Sequence, residues 1–342
     1  MMSRHMRRPH KRRLLDVLER FGRQKVAVLG DMVLDEFVYG EIARVSREAP
    51  VLILEHRQSR TAPGGAANAV ANLRALGAHP IPVGRVGQDE ASDNLLALLK
   101  ERGVDCRSII RDPSHVTPVK SRILAGSPHT AKQQIVRIDR GTVSRPPAPS
   151  VRRRISRNLA LARGRASGLL VADYGYGTVE PADPEMARWI EADSLPVVLD
   201  SRFRLPSFPG VTAATPNLAE VEAAMGVSLP DEDTPALERA GKGLLARLRS
   251  KALLVTRGSR GISLFERGRG PEHVPAYGTD EVADVTGAGD TVAATFTLAV
   301  LSGGSFLEAA VLANTAGGIV VTKRGTATVT CAELSAAVEE DA

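Results

Sequence analysis

Cysteine is nearly absent from this chain. Its two copies, Cys106 and Cys331, lie far apart and in no C-x-x-C pair, which argues against a disulfide framework and against a zinc site and leaves reduced, buried thiols. Long apolar runs are missing as well. The most hydrophobic window, Val292 to Leu301, is too short to span a bilayer, and the N-terminal segment has no apolar core of signal-peptide type. A cytoplasmic protein without membrane contact is the expectation. No G-x-x-x-x-G-K-[ST] loop occurs and no G-x-G-x-x-G follows a strand, so neither familiar glycine-rich phosphate loop is available. Fixed-period repeats and long Pro- or Ser-rich linkers are lacking too, so nothing divides the 342 residues into independent domains.

Excess charge is confined to one end. The net +6 comes from Arg4, Arg7, Arg8, Lys11, Arg12 and Arg13, with no acid among them, while the other 329 residues balance 39 basic against 39 acidic side chains. Residues 1–13 therefore read as a disordered basic tail, with RNA or membrane contact the lesser alternative. No nucleic-acid partner is expected of the body, residues 14–342.

What is present is an alternation. Short β-branched runs at 26–29, 81–83, 168–172, 195–199 and 252–256 alternate with helical patterns at 66–76, 91–102, 183–192 and 235–248, which predicts an α/β fold with a mostly parallel sheet. The segment 141–150 reads as a loop. Two regions break the rhythm, about 35–57 with strand-like 36–39 and 51–55, and 119–139 with 120–124 and 134–138. Strands arriving in pairs without helices predict a small antiparallel sheet, either a lid over a site or edge hairpins that only pack.

The stretch Ala283-Asp-Val-Thr-Gly-Ala-Gly-Asp-Thr-Val292 carries the chemistry. Gly287, Ala288 and Gly289 would leave backbone N–H groups uncrowded at a helix N-terminus, where unpaired donors and the positive end of the dipole attract an anion. The apolar run behind them is the buried helix that fixes those donors. Asp290 is then either a dipole partner or a general base beside bound phosphate.

This stretch resembles the D-T-G-A-G-D signature of ribokinase-like (PfkB-type) carbohydrate kinases, with Val285 as one added letter. Pro63-Gly-Gly-Ala-Ala-Asn68 is similar to the family's first Gly-rich motif, which meets the sugar and hinges the lid, and Gly30-Asp-Met-Val-Leu-Asp35 to its opening motif. Asn217-Leu-Ala-Glu220 resembles the N-x-x-E motif that orders magnesium through water, although the same letters fit a helix cap with its capping-box acid. Thr256-Arg-Gly258 with Gly261 resembles the turn on the nucleotide's side. The likeness runs from about 14 to 340 with the motifs in family order. It implies a three-layer α/β/α core, a β-sheet lid, ATP and Mg2+, and a homodimer through the lid strands. By the same likeness Asp290 is the base; Gly287, Ala288 and Gly289 form the anion hole; Asp35, Gly64, Gly65, Asn68, Lys120, Arg122 and Asp173 meet the substrate. Asn217, Thr256, Gly258, Gly261 and Asn314 fall to the nucleotide, and Asn217, Glu220 and Asp284 to the metal.

Within the family, 30–40, Arg44-Val-Ser-Arg-Glu-Ala-Pro-Val51, Ala172-Asp-Tyr-Gly-Tyr-Gly177 and Thr215-Pro-Asn-Leu-Ala-Glu220 resemble the kinase half of the heptose kinase/adenylyltransferase proteins. That half phosphorylates D-glycero-β-D-manno-heptose 7-phosphate at O1 for surface-glycan synthesis. No H-x-G-H occurs among the seven histidines, so a kinase without the adenylyltransferase half is the expectation. Tyr176 stands where a lysine is common, and Asp200-Ser-Arg202 replaces Asp-Pro-Lys, which shifts any phosphate clamp toward Arg202 or Arg204, with Lys132 and Arg137 as further candidates. A ribokinase- or phosphofructokinase-like kinase for another sugar is the runner-up. A non-catalytic sensor would be marked by a lost base, and the base is present.

Overall fold

The computed structural model describes residues 9–126, 132–141, 146–192, 194–230, 233–278 and 282–340. After helix α1 (Lys11–Leu18), the chain forms β1 (Lys25–Gly30), two long strands β2 (Met32–Val45) and β3 (Leu52–Gly65), then α2 (Ala66–Ala75), β4 (His79–Val86), α3 (Glu90–Glu101) and β5 (Ile109–Arg111). A second pair, β6 (Val119–Gly126) and β7 (Gln133–Arg140), precedes α4 (Pro149–Arg163), β8 (Gly168–Asp173), α5 (Pro184–Glu191), β9 (Val197–Ser201), β10 (Ala213–Ala214), α6 (Leu218–Met225) and α7 (Thr234–Leu248). The chain closes with β11 (Ala252–Thr256), β12 (Ile262–Glu266), β13 (Glu272–Val274), α8 (Ala288–Leu301), α9 (Phe306–Val321) and α10 (Cys331–Glu340).

Nine strands make the main sheet, in the order β13-β12-β11-β10-β9-β8-β1-β4-β5, parallel except at the β11–β12–β13 edge. Alternation along each strand explains the three layers. Val26 and Val28 pack into one core, with Leu170, Val198 and Leu254, under α2, α8 and α9; Ala27 and Leu29 pack into the other, with Leu169, Val171, Leu199 and Leu253, under α4, α5 and α7. From β1 the chain winds outward through β4 to β5, then returns to β8 on the other side of β1 and winds the opposite way. Strand order therefore reverses between β1 and β8, and a crevice opens outside their carboxyl ends.

The lid is a separate four-stranded sheet, β3-β2-β6-β7. Each hairpin is antiparallel, as expected, but the central β2–β6 pair is parallel. The correction has a topological cause: β6 returns only after the α2–β4–α3–β5 excursion, a crossover long enough to bring it back in the direction of β2.

Two boundaries also move. The basic tail was expected to run to residue 13, yet Lys11–Leu18 is helical, with Arg13 donating to Glu308 at 3.2 Å and to the Gly303 carbonyl at 2.8 Å; residues 1–8 lie outside the described residues. The 141–150 loop is cut short by α4, which starts at Pro149, and 142–145 are likewise undescribed. Among the described residues no helix is long and apolar enough to cross a membrane.

Candidate active site

At the tip of α8 the chain turns through Gly287, whose φ of 79° is open to glycine and strained for other residues. A Cβ there would also lie 2.5 Å from Asn68 Nδ2. Asp284 builds the turn: its carboxylate accepts from the N–H of Thr286 at 2.9 Å and of Gly325 at 3.1 Å, and so is occupied in joining two loops. Gly287 and Gly289 face a cleft of about 530 Å³. Ala288 departs from the expected trio, because its N–H closes on the Val285 carbonyl at 3.2 Å.

Asp290 sits in the first turn, 5% exposed yet lining the cleft. One carboxylate oxygen accepts from Asn68 Nδ2 at 2.8 Å and the other from the Tyr174 hydroxyl. Burial pushes its pKa up to about 6, against the pull of those two donors and of Lys120, while Asp35 adds to the rise. Asn68 was expected to meet the sugar. Its amide instead holds Asp290 and the Gly287 carbonyl, and its own oxygen accepts from Asn72, which in turn accepts from Thr291. The first Gly-rich motif is thereby tied to the tip of α8.

Tyr174 opens the loop after β8, and a buried acid shapes that loop. Asp31, between β1 and β2, accepts from the N–H groups of Tyr174, Tyr176 and Thr178 at 2.9, 3.0 and 3.0 Å. Asp173 was expected to meet the substrate, but it is 1% exposed and spent on Ser201 and Arg204, the latter at 2.6 Å. Arg204 is accordingly withdrawn from any substrate clamp.

The lid supplies the opposite wall. Asp35 of β2 pairs with Arg122 at 2.8 Å and accepts from the Thr326 hydroxyl at 2.8 Å, while Gly64 backs directly onto its carboxylate. Gly65 lines the cleft at the junction of β3 and α2. Lys120 lies 4.9 Å above the Tyr174 ring, and burial draws its ammonium pKa down. Arg137 also faces the cleft, paired with Asp139 at 2.9 Å; Lys132 instead lies 3.9 Å from Glu41.

Toward the β9–β11 end, Thr256, Asn217 and Glu220 line the cleft. Asn217 and Glu220 form a reciprocal capping box on α6 at 2.9 Å each way, so the cap reading holds while the Glu220 side chain still faces the cavity. Gly258 and Gly261 shape the turn behind Thr256. At Gly261 a Cβ would meet the Val274 carbonyl at 2.2 Å, and Asn314 donates to the neighbouring Pro275 carbonyl at 2.7 Å. These two residues build the wall rather than line the cleft.

The model of the pfkB family carbohydrate kinases matches residues 23–144 and 193–332. The chain belongs to the pfkB family of carbohydrate kinases. It is a carbohydrate kinase of ribokinase/PfkB type. The kinase is 40% identical over 309 residues, 90% of its length, to the bifunctional protein HldE of Geobacter sulfurreducens, and 39% identical over 322 residues to that of Nitrosococcus oceani. It spans 61% and 65% of those two relatives' own lengths. In fold it is similar to ribokinase from Arabidopsis thaliana complexed with ribose and ATP, at a TM-score of 0.70 and 21% identity over 92% of this chain and 99% of that one. Phosphofructokinase-2 from Escherichia coli superposes at 0.71, with 15% identity over 93% and 98% of the two chains.

Sequence reasoning about the kinase passed over two groups. Tyr174 stands one residue from the Asp173 that was chosen, and only the geometry shows which of the two side chains leaves the core. Asp200 faces the cleft near the end of β9, its carboxyl pushed well above the usual range by burial and by Glu220, Asp290 and Asp173. Arg202 lines the same cavity, 5.6 Å from the Phe203 ring.

Proposed function

We propose that this kinase transfers the γ-phosphoryl group of ATP to O1 of D-glycero-β-D-manno-heptose 7-phosphate in the cytoplasm. The observation that carries the anionic substrate is the cation pair at the sugar end. Lys120 and Arg202 line the cleft with no carboxylate partner within ion-pair distance among the described residues. Burial draws the Lys120 ammonium toward its neutral form even with Asp35 and Asp290 nearby, and a substrate phosphate in hydrogen-bond reach would offset that cost. The choice of heptose rests on the sequence resemblance and on the likeness to the HldE proteins over nine-tenths of the chain.

ATP lies along Thr256 and Asn217 with its γ-phosphate at the N–H groups of Gly287 and Gly289, and the sugar lies beneath Asp35 and Lys120. Asp290 takes the proton of the O1 hydroxyl as the O1–Pγ bond forms and the bond from Pγ to the β–γ bridging oxygen breaks, releasing ADP. The donor set suits a hydrated magnesium ion. Glu220 and Asp200 line the same cleft, burial raises both carboxyls and Glu220 raises that of Asp200 further, so a cation there relieves repulsion; no cluster of three or more His, Cys, Asp or Glu able to hold a bare ion occurs among the described residues. Asn217 and Glu220 would hold it through water, whereas Asp284 is taken up by its two amides. When bound, such an ion neutralises charge on the β- and γ-phosphates.

Heptose 7-phosphate, the free heptose and other sugar phosphates, each tested for ADP release and product formation by 31P NMR, decide the substrate. Turnover only with unphosphorylated sugars would refute the phosphate clamp. In Lys120→Ala the KM for the phosphorylated sugar should rise roughly 10- to 100-fold, the scale of a lost charge-assisted hydrogen bond, with the KM for ATP little changed.

A further inference from the structure

A buried carboxylate is penalised as an anion, and a base that keeps its proton at neutral pH cannot take another. At Asp290 that penalty meets charges of both signs. Asp35 from β2 faces it with negative charge and Lys120 from β6 with positive charge, the Asp200 carboxyl of β9 lies near but is itself pushed toward its neutral form, and Asn68 from α2 and Tyr174 from the loop after β8 approach as neutral donors. The loop that carries Tyr174 is held from two sides by buried charge. Besides the three N–H groups that converge on Asp31, the Tyr176 carbonyl accepts from Arg85 at 3.1 Å, and Arg85 is 1% exposed and paired with Asp112 at 3.0 Å. So much buried charge spent on one short loop needs a reason beyond packing.

We propose that Tyr174 is a positioning residue for the phosphotransfer: its hydroxyl, delivered by this doubly clamped loop, aims the Asp290 carboxylate at the acceptor alcohol and holds it ionised. With Asn68 on one oxygen and Tyr174 on the other, the carboxylate is fixed about its own axis, and each oxygen keeps a second acceptor site for the incoming O1–H. The phenol itself stays a donor. Burial and the neighbouring Asp290 and Asp200 raise its pKa well above the usual tyrosine value, so it remains protonated across the working range. Its ring serves a second contact, beneath the Lys120 ammonium. One side chain thus touches both the base and a cation assigned to the sugar phosphate.

This inference rests on Asp290 being the base, and the two are separable. Tyr174→Phe keeps the ring under Lys120 and removes only the hydroxyl. Its kcat–pH profile should have its acid limb moved upward by roughly one to two pH units, the worth of a lost hydrogen bond to an ionised group, with the KM for ATP unchanged and a melting temperature near that of the parent. A second readout needs no sugar: the carboxyl carbon of Asp290, assigned by its loss in Asp290→Asn, titrated by 13C NMR in the full chain, should show the same upward displacement in Tyr174→Phe. A titration unmoved by the substitution, or a kcat lowered equally at every pH, would reduce Tyr174 to packing. Full turnover in Asp290→Asn would instead remove the base and leave the measured effect of Tyr174 on that carboxyl standing.

Discussion

Asp290 shows how one residue carries opposing demands. Its position beside the α8 tip suits proton transfer, and its burial costs stability. The folded carboxyl titrates near 6, above its ordinary value of 3.8, so between those two pH values the folded state holds a proton that the unfolded state has lost. The contribution of this group is therefore fully present below about pH 4 and declines as pH rises through about 6. Asp290→Asn should consequently melt a few degrees higher than the parent at pH 7.5 in a calorimetric scan, while turnover falls about a hundredfold or more and ATP affinity is retained. With Asp290 as the base proposed above, kcat of the parent should decline below about pH 6 as that carboxylate is protonated. A pH-independent kcat between 5 and 8 would contradict the assignment.

The elements differ in how openly the sequence declares them. Strands β1, β8, β9 and β11 announce themselves as β-branched runs because both faces are buried, and α8 follows from glycines set before an apolar run. Helix α4 was hidden. Its buried stripe, Val151, Ile155, Leu159 and Ala162, is one residue wide per turn among arginines, too narrow to stand out from a solvated segment. Helix α9 hid for the opposite reason, being apolar on most sides and lacking a periodic signal. Pairing direction in the lid was equally invisible, since alternation along β2 and β6 reads the same in parallel and antiparallel sheets. At the site, the sequence pointed to Asp290, Asp35, Gly287 and Glu220 at the cleft, but it could not separate residues that line the cavity from those that brace it. Asn68, Asp173 and Asn314 proved to be braces, since only contacts reveal where an amide or carboxylate is spent. The loop after β8 tests that distinction. Asp31→Ala leaves three N–H groups without their acceptor, one buried and two partly buried, and should lower stability by about 1–3 kcal/mol in urea titration, with turnover falling as Tyr174 loses its anchor. Unchanged stability would mean the loop is held elsewhere.

Across the whole molecule, the lid presents two unlike faces. Lys120 and Arg122 point to the cleft, while the alternate positions, Val38, Ile123, Val136 and Ile138, form an apolar strip on the far side, where Val136 and Ile138 are 46% and 48% exposed. We propose that a second copy of the chain covers this strip, giving a homodimer through the lids. Light scattering on the full chain should give twice the 36.4 kDa monomer mass, and Val136→Asp with Ile138→Asp should return it to the monomer. A monomeric parent at micromolar concentration would dispose of that arrangement.

The joint between lid and core bears on how these parts work together. Strand β2 departs from the core one residue after β1 ends, and β3 re-enters it directly as α2, so both chain passages meet at Asp31, whose carbonyl accepts the Ala66 N–H at 3.1 Å. That same aspartate gathers the backbone that presents Tyr174. Any rotation of the small sheet about this joint would therefore act on the residue that also seats the Tyr174 hydroxyl against Asp290, so the two ends of the cleft share one pivot.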